Sequence, residues 1–394
     1  MDPRGGGPCQ CVRDFGPSLS ERGISLEVVC LDDPDSAYLT GETVPIRALG
    51  KGRYSWCYHQ ALRPWLIQNL RRFDAVILHG LWLYPGHLLS QFGRNSLMPP
   101  YYVFPHGMLD PWFQRAPGRR LKAVRNWCYW KLAEQKVIHR AEALFFTSAG
   151  EMQLAQNTFH PYHPKRQVIV GLGVSQPPPY KQRMTDAFAQ KCQGLRGRPY
   201  YLFLSRIDPK KGLDNLIQAY GSIYRQQLKT ERPPPYLVIA GPGLETDYGK
   251  KMIDLADGTC PPDSVLWPGM LTGDAKWGAL YNAEAFVLPS HQENFGIAVV
   301  EALTCGTPVL ISKQINIWRE IQEDNAGLVG DDTLVGAQQL FRRWESLSPK
   351  TKAIMKRAAQ YCFSNRFEIG RAAQNLTMTI QELTSKSPVR SISL

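Results

Sequence analysis

The amino-acid sequence predicts an α/β protein of two doubly wound domains, each with a parallel sheet covered by helices on both faces. Short apolar runs that end in Gly, Ser, Pro or His recur along the chain, and longer amphipathic stretches lie between them. Buried strands that alternate with helices are typical of such sheets. The chain has 394 residues, and at roughly 150 residues per domain this length favours two domains.

The predicted strands fall into two series, one in each half of the chain. Those of the first half are residues 26–31, 75–80, 101–106, 143–148 and 168–173, and those of the second half are 200–206, 236–241, 265–269, 285–290 and 308–312. Amphipathic stretches that predict helices are residues 213–227, 248–256, 275–282 and 296–304. Because the pattern occurs twice, each series is interpreted as one domain.

A run of prolines, Pro177-Pro178-Pro179, separates the two series. Proline lacks a backbone donor and stiffens an extended chain, so the run fits neither a central strand nor a helix interior. We therefore expect an N-terminal domain over residues 1–174, a Pro-rich linker over 175–198, a C-terminal domain over 199–366, and a C-terminal helix and tail over 367–394.

The composition is that of a reduced globular protein. Hydrophobic residues make up 43% and charged residues 20%, which argues against disorder. No apolar run approaches the roughly 18 residues of a membrane-spanning helix, and the start of the chain lacks the apolar core of a signal peptide. The nine cysteines include no C-x-x-C pair, so a zinc ribbon and a disulfide-stapled secreted fold are disfavoured. These features predict a cytoplasmic protein.

Positive charge is concentrated in the first half. Residues 1–198 carry 25 Lys and Arg against 14 Asp and Glu, whereas residues 199–394 carry 21 against 20. The densest part, residues 115–140, interleaves eight basic side chains with Trp127, Tyr129 and Trp130. This pattern fits a peripheral contact with an anionic membrane, or a solvated basic face whose aromatic residues pack into the core. Nucleic acid is disfavoured, because no zinc-finger or RNA-recognition signature is present.

A basic segment follows the run at residues 200–204. It reads Ser205-Arg206-Ile207-Asp208-Pro209-Lys210-Lys211-Gly212 and precedes a predicted helix. Ligands bind at the carboxyl ends of parallel strands, and facing domains would add a cleft, so Arg206 and Lys211 are expected to be open to solvent there. Together with the helix N-terminus they suit a diphosphate. An ordinary surface turn is the alternative.

An acidic segment follows the run at residues 285–289. It reads Ser290-His291-Gln292-Glu293-Asn294-Phe295-Gly296 and continues into an apolar helix that contains Glu301. Gly296 allows a ligand to approach the backbone closely. Glu293 is expected just outside the helix and Glu301 about two turns inside it, where one carboxylate reaches a sugar and the other a ribose. The alternative is a helix cap at Glu293 and a surface charge at Glu301.

Together, these segments resemble the retaining nucleotide-sugar glycosyltransferases of family 4, which have the GT-B architecture. The resemblance also rests on Gly5-Gly6-Gly7-Pro8, Pro105-His106-Gly107 and Gly241-Pro242-Gly243, and it covers almost the whole chain. It implies transfer of a sugar, without a metal or another cofactor, from a UDP- or GDP-sugar to a hydroxyl group of a polysaccharide, lipid-linked or small-glycan acceptor. It also implies an acceptor-side N-terminal domain and a donor-binding C-terminal domain.

The resemblance further implies roles for individual residues. Arg206 and Lys211 would hold the donor diphosphate and stabilise it as the leaving group. Glu293 would lie beside the transferred sugar, His106 would lie near its ring, and Glu301 would bind the nucleotide ribose. The remaining donor-binding residues that it implies are Gly6 and Gly7 at the phosphate, Met270 and Leu271 at the base, and Asn294 with the backbone N–H groups of Phe295, Gly296 and Ile297.

A metal site is not expected. Metal-dependent sugar transferases typically use an Asp-x-Asp, and the one match, Asp33-Pro34-Asp35, is interpreted as a turn after the first predicted strand. His79 and His291 also end predicted strands, but with a smaller expectation of function than His106.

The start of the chain departs from the family pattern. In the family the glycine loop follows the first strand of the sheet, whereas Met1-Asp2-Pro3-Arg4 precedes Gly5 here without an apolar run. A first strand is central in a doubly wound sheet, so its absence predicts open strand edges and an incomplete, weakly active chain. Two other interpretations stay open: a non-catalytic GT-B scaffold, and another GT-B enzyme such as a sugar-phosphate synthase or a phosphorylase. A nicotinamide dehydrogenase is disfavoured, because no G-x-G-x-x-G follows a strand.

Overall fold

The structure is a computed structural model that describes residues 1–2, 6–93, 98–116, 118–227, 234–384 and 391–394. Its strands are β1 (Ser25–Cys30), β2 (Ile46–Ala48), β3 (Ala75–His79), β4 (Tyr101–Phe104), β5 (Ala143–Phe146), β6 (Gln167–Ile169), β7 (Tyr200–Leu204), β8 (Tyr236–Ala240), β9 (Val265–Gly269), β10 (Ala285–Leu288), β11 (Val309–Ser312), β12 (Gly327–Gly330) and β13 (Ser391–Ser393).

Its helices are α1 (Gly7–Ser20), α2 (Leu62–Asn69), α3 (Tyr84–Phe92), α4 (Trp112–Arg115), α5 (Arg120–Tyr129), α6 (Gln135–Arg140), α7 (Ala149–Ala155), α8 (Gln182–Lys191), α9 (Leu213–Gln227), α10 (Asp247–Thr259), α11 (Gly273–Asn282), α12 (Ile297–Thr304), α13 (Trp318–Glu323), α14 (Leu334–Glu345), α15 (Pro349–Cys362) and α16 (Ile369–Thr384). Two π-helical turns, Trp130–Glu134 and Phe363–Phe367, continue α5 and α15.

The chain divides into two compact units. Unit 1 comprises Met1–Ser175 and Ile369–Leu394, and unit 2 comprises Gln176–Glu368. Helix α8, which lies in the predicted linker, belongs to unit 2 and packs along α11. The two helices approach closely at Gly278, where a Cβ would stand 2.0 Å from the carbonyl oxygen of Met184. Helix α16 packs against α1 within unit 1.

Unit 1 contains a parallel sheet in the order β2-β1-β13-β3-β4-β5-β6. Strands β4 and β5 are buried at every position, as expected for strands covered by helices on both faces. The core beside them includes Trp130, whose ring stacks on that of Phe159 with the centroids 4.8 Å apart. Buried apolar strands of this kind are the reason that the sequence pattern was recognisable.

The open strand edges that the sequence predicted near the start of this sheet are wrong. Strand β13 lies parallel between β1 and β3, so that Ile392 is opposite Leu26 on one side and Ala75 on the other. The N–H group of Leu394 donates to the carbonyl oxygen of Glu27, and the N–H group of Val29 donates to that of Leu394, both at 3.0 Å. Residues 391–394 thus fill the position between β1 and β3 in the sheet.

Unit 2 contains a parallel sheet in the order β12-β11-β10-β7-β8-β9. The chain builds outward from β7 through β8 to β9, then returns to the other side of β7 with β10. This reversal is the topological switch point of a doubly wound fold, and ligands bind beside it at the carboxyl ends of the strands.

Candidate functional site

The two polar segments that the sequence predicts as a site meet in unit 2, after β7 and β10. These two strands are neighbours in the sheet and flank the switch point. The N–H group of His291 donates to the carbonyl oxygen of Lys210 at 2.8 Å, which joins the segments directly. Gly212 permits this approach, because its φ is +64° and a Cβ there would stand 2.2 Å from the carbonyl oxygen of Pro289.

Lys211 and Glu293 form an ion pair at this junction. The ammonium group of Lys211 contacts the carboxylate of Glu293, and the two side chains are only 9% and 18% exposed. Burial opposes ionisation of Glu293, but the charges of Lys211 and Lys210 outweigh it and hold the pKa of Glu293 below its ordinary value. Glu293 is therefore ionised at neutral pH. The expectation that Lys211 is open to solvent is wrong, because its side chain is buried and its ammonium group contacts the Glu293 carboxylate.

Helix α12 begins beside the ion pair. Gly296 is its N-cap residue, with φ 76°, and a Cβ on Gly296 would stand 3.4 Å from Cγ of Glu293. Among the residues that the structure describes, no side chain caps this helix, so the alternative role of Glu293 as a cap does not apply. The first N–H groups of an uncapped helix, here from Ile297 onward, suit an anion or the hydroxyl groups of a sugar.

The backbone around Glu293 is fixed by the loop after β11. Its N–H group donates to the carbonyl oxygen of Gln314 at 2.9 Å, and its carbonyl oxygen accepts from the N–H group of Asn316 at 3.1 Å. The side-chain amide of Asn316 also donates to that of Asn294 at 3.2 Å, while Phe295 is buried. Asn316 was not predicted, although a polar residue four positions after an apolar strand was a usable signal.

Arg206 lies in the loop after β7 and is exposed. The loop after β8 supports it, since the N–H group of Ile207 donates to the carbonyl oxygen of Pro242 at 2.9 Å. The loop after β9 carries Met270 and Leu271, of which Met270 is exposed and Leu271 is buried. Of these two predicted base-pocket residues, Met270 alone presents its side chain to solvent.

Other titratable groups near the junction are also paired. The carboxylate of Glu301, within α12, lies 2.7 Å from the ammonium group of Lys276 in α11. Glu301 is therefore not an isolated surface charge, since its side chain is 15% exposed and paired. His291 Nδ1 lies 3.0 Å from a carboxylate oxygen of Asp332. No sequence motif marks Lys276 or Asp332, and both were missed.

In unit 1, His79 is the last residue of β3 and His106 follows the neighbouring strand β4, and the two side chains lie together. Nδ1 of His79 is 3.0 Å from Nε2 of His106, and the two rings stack with the centroids 5.2 Å apart. Burial lowers the pKa of His79 to about 4, and burial together with the neighbouring His79 lowers the pKa of His106 well below its usual range. Both imidazoles are therefore neutral at pH 7, and His106 offers hydrogen bonds rather than charge.

Glu151 supports the turn that carries His106. His106 has a φ of 51°, and the next N–H group, that of Gly107, donates to Oε1 of Glu151 at 2.6 Å. The N–H group of Thr147 donates to Oε2 of the same carboxylate at 2.8 Å. The hydroxyl group of Ser148 accepts from the N–H group of Glu151. This Ser-x-x-Glu capping pattern was visible in the sequence and would have drawn attention to Glu151.

Helix α1 starts at the predicted glycine segment. Gly5 lies outside the described residues, Gly6 is the N-cap with φ 75°, and Gly7 is the first helical residue. Cys11 in the same helix reaches the histidine pair, and one ligand atom from each of the three side chains lies within 4.8 Å of the others, so this group could hold a metal ion. Burial raises the pKa of Cys11 well above its usual range, which favours the thiol over the metal-binding thiolate.

The predicted Asp33-Pro34-Asp35 turn is present, since the N–H group of Asp35 donates to the Asp33 carboxylate at 3.1 Å. This is the local hydrogen bond of an Asx turn. This local turn is sufficient to explain the one Asp-x-Asp match in the sequence.

The basic segment at residues 115–140 has both a buried and an exposed part. Trp130 is buried in the core, whereas α5 and the π-turn after it leave four apolar side chains exposed: Leu121, Val124, Trp127 and Leu132. The ammonium group of Lys131 lies 5.7 Å from the centroid of the Trp127 ring. Among the described residues, no helix is both long and apolar enough to span a bilayer. Packing of the aromatic residues into the core thus holds for Trp130 and not for Trp127, and contact with a membrane stays a prediction.

Two family models match the chain. The model described as "Glycosyl transferase 4-like domain" matches residues 6–173, and the model described as "Glycosyl transferases group 1" matches residues 186–360. The first lies within unit 1 and the second within unit 2, so that the two matches together span most of the chain.

Curated proteins that are similar in sequence include a glycosyltransferase and a glycogen synthase. The chain is 29% identical over 223 residues to a D-inositol 3-phosphate glycosyltransferase of Salinispora arenicola, which covers 54% of this chain and 49% of that protein. It is 26% identical over 251 residues to a glycogen synthase of Mycobacterium tuberculosis, which covers 64% of this chain and 53% of that protein. The chain thus spans about half the length of these curated relatives.

Solved structures share the fold. A glycosyltransferase of Rickettsia africae aligns with a TM-score of 0.74 at 13% identity, over 96% of this chain and 95% of that chain. The Anabaena HepE protein, in complex with UDP and glucose, aligns with a TM-score of 0.69 at 16% identity, over 95% and 96%. At these identities the likeness concerns the fold alone, and it confirms the predicted GT-B type of α/β protein.

Proposed function

Because the chain belongs to the glycosyl transferases group 1 family, we propose that it moves a sugar from a nucleotide-sugar donor to a hydroxyl group of a glycan or lipid-linked acceptor, with retention of configuration. One observation carries the proposal: Lys211, Glu293 and the uncapped start of α12 lie together beside the switch point of unit 2. A cation and a helix N-terminus in that position suit a diphosphate.

The chemistry needs positive charge at the leaving group. Breaking a glycosyl–phosphate bond builds negative charge on the departing diphosphate, and fixed cations aimed at it lower the barrier. The exposed guanidinium group of Arg206 supplies a bidentate contact, and Lys211 supplies a point charge that Glu293 holds in position. In the proposed reaction these two cations stabilise the leaving diphosphate, and no step uses a metal ion.

Glu293 and Glu301 have separate tasks in this proposal. Each pairs with a different lysine, Lys211 and Lys276 respectively, which supports one carboxylate beside the transferred sugar and the other beside the ribose. Retaining hydrolases instead place two carboxylates about 5 Å apart around one glycosidic bond. Here the acceptor hydroxyl group attacks from the side on which the diphosphate leaves, and the departing phosphate takes the hydroxyl proton.

The donor in this proposal is a UDP- or GDP-sugar. The Anabaena structure with UDP and glucose supports a nucleoside diphosphate, because it shares the fold in which this site lies. Met270, exposed after β9, is assigned to the base. His106, which is neutral, is assigned a hydrogen bond to a sugar hydroxyl group, and Gly6 and Gly7 are assigned to the phosphate.

We assign the exposed face of α5 to a membrane surface that carries the acceptor. Leu121 and Val124 are exposed on this helix and lie among Arg120, Lys122 and Arg125. Aliphatic side chains that enter the headgroup region, surrounded by cations that attract anionic lipids, are the features of an interfacial helix. A peripheral position of this kind suits a lipid-linked acceptor.

A donor screen tests the proposal. The purified protein is incubated with UDP-, GDP- and ADP-sugars, release of nucleoside diphosphate is measured, and the anomeric configuration of the product is read by NMR. We expect release from one nucleotide class and a product that retains the donor's configuration. Release from no donor at all would favour a non-catalytic scaffold, and an inverted product would refute the proposed course.

The Arg206→Ala variant tests the diphosphate assignment. Because Arg206 is exposed, we expect kcat/KM to fall by roughly 10²–10³, the scale for one preorganised charge partner, with an unchanged melting temperature. Arg357→Ala, at an exposed position on α15, is the matched control and should keep full activity. Full activity of Arg206→Ala would remove this residue from the site.

A further inference from the structure

We propose that Cys11, His79 and His106 of unit 1 bind a zinc ion, and that the bound ion inhibits sugar transfer by occupying His106. The binding itself does not depend on the proposed function, whereas the inhibition rests on the assignment of His106 to the donor sugar. Three features of unit 1 support the site: the convergence of the three side chains, the fixed orientation of the two imidazole rings, and a buried ring nitrogen that has no partner.

The three side chains meet although they belong to different elements. Cys11 lies in α1, His79 is the last residue of β3, and His106 follows β4. One ligand atom from each side chain lies within 4.8 Å of the others, and Cys11 is fully buried. Imidazole nitrogen and thiolate sulfur are ligands that zinc prefers, whereas magnesium and calcium prefer oxygen. The three side chains therefore suit zinc.

The spacing within this cluster is close to that of a zinc site. Zinc binds imidazole nitrogen at about 2.0–2.1 Å and thiolate sulfur at about 2.3 Å, with tetrahedral geometry. Two nitrogens on one ion are then about 3.3 Å apart, and a nitrogen and a sulfur about 3.6 Å. Nδ1 of His79 and Nε2 of His106 are 3.0 Å apart. Since the ligand atoms lie within 4.8 Å of one another, shifts of about 1 Å bring all three onto one ion.

Packing holds the two imidazole rings in a fixed orientation. The ring of Phe104 stacks on that of His79 and on that of His106, with the centroids 5.3 and 5.4 Å apart. The N–H group of Gly107 donates to Glu151, which fixes the backbone next to His106. Ligands that are held in place before the ion arrives lose little conformational entropy when it binds.

The hydrogen bonds within the cluster are incomplete. Nε2 of His79 is buried and has no hydrogen-bond partner among the described residues. A buried polar atom of this kind often marks the position of a water molecule or an ion. His79 also lines a cavity of about 400 Å³. This cavity offers a path of entry, and it has room for the water molecule that completes the coordination of a zinc ion with three protein ligands.

Binding of the ion releases one proton and gives up the hydrogen bond between the two rings. Each neutral imidazole offers the lone pair of one nitrogen, and the thiol of Cys11 loses its proton to solvent as the sulfur binds the ion. The charge of the ion stabilises the thiolate in this buried position. His106 then holds the metal and is no longer available to a sugar hydroxyl group, so that transfer is slowed.

A metal titration tests the site. Metal-free, untagged protein is titrated with Co²⁺, whose thiolate complexes absorb in the near ultraviolet, and then with Zn²⁺. We expect one Co²⁺ per chain with a thiolate absorption band, which Zn²⁺ abolishes by displacement. Cys11→Ser should lack the band and should bind about a hundredfold more weakly, since even the loss of a group that only orients a ligand costs about 10–100-fold.

The control for the titration is Cys128→Ser. This change removes an exposed thiol, which is the kind of group that binds metal ions adventitiously, and the variant should bind Co²⁺ as the unchanged chain does. The absence of a thiolate band in the unchanged chain, or a band that Cys128→Ser abolishes, would overturn the proposed site.

Calorimetry keeps the test valid if Cys11→Ser is less stable. A ligand that binds the folded state raises the melting temperature, so Zn²⁺ should raise it for the unchanged chain and for Cys128→Ser. The melting temperatures of Cys11→Ser and His79→Gln should change little with Zn²⁺. Each shift is measured against the same protein without Zn²⁺, so the stability of a variant does not affect the comparison. Equal shifts in all four proteins, or no shift in the unchanged chain, would also overturn the site.

Release of nucleoside diphosphate tests the inhibition separately. Saturating Zn²⁺ should slow release by the unchanged chain about tenfold, the scale of one lost hydrogen bond, and EDTA should restore the rate of the metal-free chain. Cys11→Ser should keep the metal-free rate and should not respond to the same Zn²⁺ concentration. Binding without inhibition would overturn the inhibitory role. Absence of release from the metal-free chain would refute the proposed function, whereas the titration decides the zinc site in either case.

Discussion

Replacing Lys211 by Met removes the positive partner of Glu293 and leaves a side chain of similar length. Breaking a buried ion pair costs about 3–5 kcal/mol. Because the Glu293 side chain is still 18% exposed, we expect the lower end, about 3 kcal/mol. For a domain of the size of unit 2, Gln176–Glu368, each kcal/mol of lost unfolding free energy lowers the melting temperature by about 2–4 °C. The melting temperature of unit 2 should therefore fall by roughly 6–12 °C.

Differential scanning calorimetry at pH 7 measures this shift. The matched control is Lys313→Met, which breaks the 2.8 Å ion pair with Asp331, whose two side chains are 49% and 63% exposed. An exposed pair contributes about 0–1 kcal/mol, so this control should shift the midpoint little. Equal midpoints for Lys211→Met and Lys313→Met would refute the reasoning, because they would mean that Glu293 is fully solvated.

The same comparison has a defined pH dependence. In the folded chain the pKa of Glu293 is held below its ordinary value of 4.5. A depressed pKa stabilises the fold above the unfolded pKa, and this contribution is lost as the pH falls through the folded pKa. The difference in melting temperature between the unchanged chain and Lys211→Met should therefore have its full size near pH 7 and should become smaller below about pH 4.5. A constant difference down to about pH 3 would contradict the assignment.

Three further outcomes follow from the proposed function. Glu301→Gln should weaken donor binding about tenfold, as one charged hydrogen bond to a ribose is lost, with kcat nearly unchanged; a large fall in kcat alone would contradict the ribose assignment. EDTA should leave nucleoside diphosphate release unchanged, and a sharp loss would show that a metal ion takes part. Binding to anionic vesicles should weaken with salt and fall at least about tenfold in Leu121→Ser/Val124→Ser, because two aliphatic side chains leave the bilayer surface; Ile354→Ser, an exposed position in unit 2, should bind normally.

Most strands were predictable because each is a run of apolar side chains. Strand β7, for example, is Tyr200–Leu204 and was predicted at residues 200–206. Most of the predicted ends ran one or two residues too far, since the residues that follow a strand belong to the loop, whereas β9 and β11 end where the sequence predicts and β6 ends four residues earlier. Strands β2, β12 and β13 were not predicted: the first has 3 residues, the second begins and ends with glycine, and the third alternates with serine. Their neighbours in the sheet impose the strand conformation on them.

The position of the site was predictable, but its ion pairs were not. Arg206 and Glu293 lie after β7 and β10, as the sequence predicts, because the end of a strand is a local feature. The partner of Glu293 is 82 residues away in the chain, and that of Glu301 is 25 residues away. Such pairings depend on strand order and on how deeply a side chain is enclosed. The spacing of residues within one segment encodes neither the order of the strands nor the burial of a side chain.

Unit 1 is assembled from both ends of the chain, and this affects the order in which the protein is made. Helix α16 packs on α1, and β13 enters the sheet, yet both emerge from the ribosome only after the whole of unit 2. At about 5–20 residues per second, the interval between Ser175 and Ile369 lasts roughly 10–40 s. During that time the nascent first unit waits with an unfilled sheet, whereas the second unit has its full sequence as soon as the interval ends. Protection of the nascent chain by a chaperone is thus most valuable for the segment that was synthesised first.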